Sequence, residues 1–141
     1  MKLGVIAAIP LSNGWFGYGR EYRDALGILE ITSLEVLPLK LVVGHPVAFF
    51  VSYCEPVDYP EWIYVGKWKF GAEEDVWGPP QSIRDVLDQN VYRIYDRGKM
   101  RSATKAETAG LAPQILLSPE HVRERIEACF GRKTGPKEPT S

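Results

Sequence analysis

Histidine is nearly absent from this chain: His45 and His121 are the only two in 141 residues. Metal-assisted hydrolysis draws several imidazole and carboxylate ligands onto one or two ions. Here one histidine precedes Pro46 in a loop and the other falls in the first turn of a helix, with no His-x-His or His-Glu-x-x-His spacing around either. No metal site is therefore expected, a carboxylate-dominated one being the alternative; His45 reads as a loop-packing residue and His121 as a solvated helix residue. Cysteine is as scarce: Cys54 sits on an apolar strand and Cys129 on an amphipathic helix, which reads as two buried free thiols in a reducing cytoplasm. Cys54 follows His45 closely, but a nucleophile needs an electropositive setting in space, and a core cysteine is the commoner reading. Charge of one sign is not in excess either. The formal balance is −1, which gives no bulk attraction to nucleic acid. Long apolar runs are missing too: the stretch from Leu3 to Ile9 meets Pro10 at once, so neither an export signal nor a bilayer span is expected.

What the chain does contain is 45% hydrophobic, 25% charged and 11% aromatic residues, the balance of a soluble globular protein. A chain of this length buries about 68% of its unfolded surface without staples. One domain over residues 1–131 is expected, followed by a Pro, Lys, Thr and Gly tail over 132–141 that has no apolar anchor and reads as disordered.

The most informative run is Ala8 to Arg20. Its apolar arm stops at Asn13-Gly14 and resumes as Phe16-Gly17-Tyr18-Gly19-Arg20, a strong hairpin signal. A two-residue loop would set Pro10 at a hydrogen-bonded site, where it has no N–H to give. A three-residue loop with Gly14 left-handed shifts the pairing by one and frees Pro10 from that demand. In that register Phe16 and Tyr18 share a face with Ile6, Ala8 and Pro10, while Gly17 and Gly19 lie beside Ala7 and Ile9. Two glycines in one strand suit a chain that bends sharply or admits close approach. The expected fold is thus α+β: a mostly antiparallel, strongly curled sheet or small open barrel with a C-terminal amphipathic helix.

Further along, Ala25 to Ile31 reads as a strand, and Leu34 to Val43, broken by Pro38, has room for a helical turn. Val47 to Tyr53 reads as a central strand buried on both faces. Trp62, Tyr64, Gly66, Trp68 and Phe70 alternate with Ile63, Val65, Lys67 and Lys69, which predicts one aromatic face and one grading from apolar to basic. A short helix is expected over Ser82 to Leu87, then a strand from Val91 to Asp96 turning back at Arg97-Gly98. Thr104 and Glu107 have capping-box spacing. Ser118 and Pro119 open the clearest helix, with Val122, Ile126, Cys129 and Phe130 as core stripe and Glu120, Arg123, Glu124 and Glu127 outside.

The hairpin pattern, from Gly4 through Ile9-Pro10-Leu11 and Phe16-Gly17-Tyr18-Gly19-Arg20, resembles the opening of the immunity protein 26 family of bacterial polymorphic toxin systems. The likeness continues in order through the apolar strand after His45-Pro46, Ile63-Tyr64-Val65-Gly66-Lys67, Ile94-Tyr95-Asp96 and Ser118-Pro119-Glu120-His121-Val122. It spans residues 4–130. Val5 stands where the family pattern has an acidic residue. The resemblance implies a cytoplasmic immunity protein that binds and neutralises a cognate toxin domain, without catalysis or cofactor. Some relatives carry a phosphotriesterase label, so a small phosphoester hydrolase is the alternative, and a β domain for an unrelated ligand is a third.

The residues themselves show one surface asymmetry. Between Val51 and Asp75, Glu55, Asp58, Glu61, Glu73, Glu74 and Asp75 face only Lys67 and Lys69. Aromatics interleaved with these acids suit recognition of a basic partner, such as a nuclease whose substrate groove attracts phosphate. The expected partner-binding set is Asp58, Glu61, Trp62, Glu73, Glu74, Asp75 and Trp77; the bland alternative is that the tryptophans fill the core and the acids keep a loop soluble. No direct contact with nucleic acid or membrane is expected.

Overall fold

The structure, a computed structural model, describes residues 3–53, 61–85, 87–114 and 116–130. Strands β1 (Val5–Pro10) and β2 (Phe16–Glu21) form the opening hairpin, with Pro10 opposite Phe16 and Ala8 opposite Tyr18, as the three-residue loop requires. Leu11 N donates to Trp15 O at 2.8 Å and Gly14 N to Leu11 O at 3.1 Å, with Gly14 at φ +91°. Leu11 and Trp15 are the bonded pair, so Pro10 falls at the site that asks for no N–H from it. Phe16 turns its backbone outward and exchanges bonds with Ser33 at 2.8 and 3.1 Å.

The chain continues through β3 (Leu26–Leu29), helical turn α1 (Leu39–Val42), β4 (Val47–Tyr53), β5 (Ile63–Lys67), β6 (Gln81–Arg84), β7 (Tyr92–Asp96), β8 (Lys99–Ala103), α2 (Lys105–Thr108), β9 (Ala112–Pro113), β10 (Leu116–Leu117) and α3 (Pro119–Phe130). Among the described residues these strands make two sheets, ordered β10-β4-β3-β2-β1-β5 and β8-β7-β6-β9. All pairings are antiparallel except β10 with β4 and β6 with β9.

The α+β class and the C-terminal helix are as expected; the strong curl and the barrel are not. The larger sheet is open, with β10 and β5 as separate edges, and it is not strongly curled. Its strand glycines are used for depth instead of bending. A Cβ on Gly17 would stand 3.0 Å from Ile126 Cγ2, and one on Gly19 3.0 Å from the Leu26 side chain. The sheet is apolar on both faces, as the hairpin pattern requires. Ile9, Leu11, Leu26, Ile28 and Val51 face α3, which buries Val122 and Ile126 completely. Each such burial is worth about 1.5–3 kcal/mol. On the opposite face Ile6, Ala8, Tyr18 and Leu29 meet Val42, with Leu37 and Leu39 packed beside it. The Tyr18 hydroxyl pins that segment, bonding Ser33 Oγ at 2.7 Å and accepting from Leu37 N at 2.8 Å.

Four local expectations are corrected by packing. Strand β4 is neither central nor sealed: only the two-residue β10 lies outside it, and Ala48 is exposed. Strand β5 does not keep one aromatic face. Its pairing with β1 slips between Ala7 opposite Tyr64 and Ile6 opposite Gly66, a bulge at Val65. The bulge swaps the faces, so Trp62 joins the helix-side core while Val65 and Trp68 join the other. Residues 81–84 are strand, not helix, because β6 pairs on both sides and buried Gln81 bonds Ser52 Oγ at 2.9 Å. Tertiary pairing overrides a weak local propensity there. Cys129 is exposed, since the face of α3 toward the core is carried by Val122 and Ile126; Cys54 and the tail over 132–141 lie outside the described residues.

Other expectations hold. Arg97 (φ 54°) and Gly98 (φ 82°) are both left-handed, the mirror-image turn that suits a tight hairpin between β7 and β8. Thr104 and Glu107 form the capping box of α2, and Ser118 Oγ accepts from His121 N at the start of α3. The two sheets are joined by Arg23 N donating to Val76 O at 2.9 Å and Gly78 N donating to Asp24 Oδ1 at 2.8 Å. No helix among the described residues is long and apolar enough to cross a membrane.

Candidate functional site

The acidic and aromatic residues singled out from the sequence fall into two groups at opposite ends of β5. Glu61 is exposed just before the strand. Glu73, Glu74 and Asp75 come after its far end, on a 3₁₀ turn over Glu73–Val76. The length of β5 lies between the two groups along the chain. Asp58 lies outside the described residues.

The turn is a rigid display. All three carboxylates are exposed while Val76, next in sequence, is buried and tied through its carbonyl to Arg23. Trp77 follows, half-buried, with the Arg23 guanidinium 5.6 Å from its ring and Gly98 of the β7–β8 turn against its edge. Trp77 therefore backs the acids from the junction between the sheets. Trp62 does not join it; its ring packs on the helix-side core with Ile9 and Ile126. Of the expected aromatic anchors, the bland reading fits Trp62, and Trp77 alone stands beside the acids.

What the sequence reading missed is that Arg23 joins Lys67 and Lys69 in one cleft next to these carboxylates. Arg23, Lys67, Lys69 and Glu73 line an open cleft of about 420 Å³, whose apolar wall is Leu3, Phe70 and Val76. Neither lysine takes part in the ion pairs among the described residues, which join Arg97 to Asp96, Arg101 to Glu107 and Arg123 to Glu127. The backbone beside the cleft is held by Arg20, the last residue of the hairpin motif. Arg20 is 6% exposed, its guanidinium 3.9 Å from the Trp68 ring and 3.7 Å from the Phe70 ring. It donates to the Trp68 carbonyl, through Nε at 3.1 Å, and to the Lys69 carbonyl at 2.9 Å. Burial pushes the Arg20 pKa below the ordinary arginine value, with Tyr22 and Asp75 acting in the opposite direction. The sequence signal for this arrangement was the pair Lys67 and Lys69, at and just after the end of β5.

The C-terminal helix contributes a second missed contact. Glu127, read as an outer-face residue, accepts from both Ser12 N and Ser12 Oγ and so fastens α3 to the hairpin tip. His45 is half-buried in its loop and His121 is exposed, bonded to Ser118. Among the described residues no three His, Cys, Asp or Glu side chains stand close enough to hold a metal ion. In comparisons with protein-family models, curated proteins and solved structures, nothing matches this chain.

Proposed function

We propose that this protein is a binding module of the immunity type, which neutralises a cognate toxin domain in the cytoplasm by occupying its functional surface and carries out no chemistry of its own. The observation that supports this reading is the display of Glu73, Glu74 and Asp75: three consecutive exposed carboxylates on a turn anchored by buried Val76 and backed by Trp77. A short anchored turn loses little entropy when a partner closes on it, and carboxylates around a half-buried aromatic favour fast, charge-steered association. A toxin that handles nucleic acid must present a basic groove, which such carboxylates can fill in place of phosphates. The order of motifs from Gly4 to Val122 supports the same class by resemblance.

The test is co-expression with the C-terminal domain of a large secreted protein encoded beside this gene, which the reading expects to be the toxin, with growth as readout, together with assay of the purified protein on phosphotriesters with and without divalent metal. Rescue of growth without turnover is the expected outcome. Metal-dependent turnover abolished by one carboxylate substitution overturns the reading.

A further inference from the structure

We propose that the cleft beside β5 binds a phosphate monoester with an apolar or aromatic body, a ligand of nucleotide size. This goes beyond the toxin-binding reading and does not depend on it. The charge count comes first: Arg23, Lys67 and Lys69 against Glu73 leave the lining at +2, and the ammonium groups of the two lysines have no ion-pair or hydrogen-bond partner among the described residues. Like charges gathered around one cleft repel each other, and a dianion is the ligand that cancels them; a phosphate monoester carries about −1.5 to −2 at neutral pH. A carboxylate would neutralise only half.

The second argument is shape. About 420 Å³ is more than an inorganic anion fills and lies within the range of small-molecule clefts. Beyond the cations the wall is apolar, with Leu3, Phe70 and Val76 available to an uncharged body. The third is preorganisation. Lys69 is not on a loose loop, because the buried Arg20 guanidinium holds the carbonyls of Trp68 and Lys69 and stacks on Phe70. The cation and the ring that would meet the two halves of the ligand are thus placed by one buried side chain before any ligand arrives.

Titration of the full chain with adenosine 5′-monophosphate, inorganic phosphate and adenosine at low ionic strength, followed by NMR and calorimetry, tests this. The monophosphate should bind saturably and move the signals of Lys67, Lys69, Phe70 and Val76, with phosphate and adenosine each at least about tenfold weaker, since each carries half of the contacts. K67Q/K69Q should weaken the monophosphate about tenfold or more at an unchanged melting temperature, and Glu73→Gln, which removes the opposing charge, should tighten it. No saturable binding overturns the proposal. So does equal affinity for inorganic phosphate or for adenosine, or a monophosphate affinity untouched by K67Q/K69Q.

Discussion

Ser12, at the tip of the first hairpin, gives both its backbone N–H (2.6 Å) and its hydroxyl (2.7 Å) to the same carboxylate oxygen of Glu127, on the last helix. The contact ties the hairpin tip directly to the last helix, beyond the link that the shared sheet makes through β10. It also ends the picture of α3 as a helix held only by its apolar stripe. Glu127→Ala should cost about 1–3 kcal/mol in urea unfolding, the range for paired hydrogen bonds to a charged group. Glu124→Ala, on the exposed side of the same helix, should stay within about 0.5 kcal/mol. Equal losses at the two positions would mean the Ser12 contact contributes nothing.

The hairpin offers a way to separate backbone strain from crowding. Nothing lies within 4 Å of a Cβ at Gly14, so Gly14→Val acts only through its φ of +91°. A β-branched residue there should cost about 1–3 kcal/mol, and Gly14→Asn, which tolerates the left-handed region, should cost less. At Gly17 the space is taken by Ile126, so Gly17→Val should cost a similar amount through overpacking. In a double-mutant cycle, Gly17→Val with Ile126→Ala should cost less than the sum of the two single changes, whereas Gly14→Val with Ile126→Ala should be additive. Thermal unfolding of the set decides it, and an unchanged melting temperature for Gly14→Val would contradict the turn geometry.

Alkaline stability should report on the junction between the sheets. Burial pushes the Tyr95 phenol above its ordinary value, and the Asp24 carboxylate pushes it further the same way. A group whose folded-state pKa is raised contributes stability that is whole below the unfolded value, about pH 10, and is lost as pH rises through the folded one. Melting temperatures should therefore fall above about pH 10 more steeply in the parent than in Tyr95→Phe. If the two fall in parallel, ionisation of Tyr95 is not coupled to folding.

On the proposed immunity reading, association with a toxin domain should depend on the turn and not on the helix. Reversal of Glu73, Glu74 and Asp75 to lysine should slow association at least about tenfold at low salt, with the difference shrinking as salt is added. Reversal of Glu120 and Glu124 should leave the rate within about twofold, since both are on the far side of α3 from the sheet. Stopped-flow fluorescence, with circular dichroism to confirm the fold, separates the two. A rate lowered by the helix set and not by the turn set would move the interface to the other side of the molecule.

Much of the local structure was legible in the chain itself. Pro10, Asn13 and Gly14 determine the opening loop and register, because a missing N–H and a left-handed glycine leave one pairing that satisfies both. Arg97-Gly98, Thr104 with Glu107, and Ser118-Pro119 determine a turn and two helix starts in the same way, since each acts on bonds within a few residues. The candidate site was legible only in part: the acids were visible as a run, but nothing local places Trp62 in one core and Trp77 at the sheet junction. Those were decisions of tertiary structure. The bulge at Val65 exchanges the faces of β5 and parts its aromatics, and pairing with β7 and β9 turns residues 81–84 into a strand. The same is true of the open sheet, in which the strand glycines receive Ile126 and Leu26 rather than curl the chain, and of the cleft, where Arg20 fixes the backbone of residues that stand 48 and 49 positions away. Such long-range choices depend on which surfaces meet after the elements have formed, and periodicity within a segment carries no record of them.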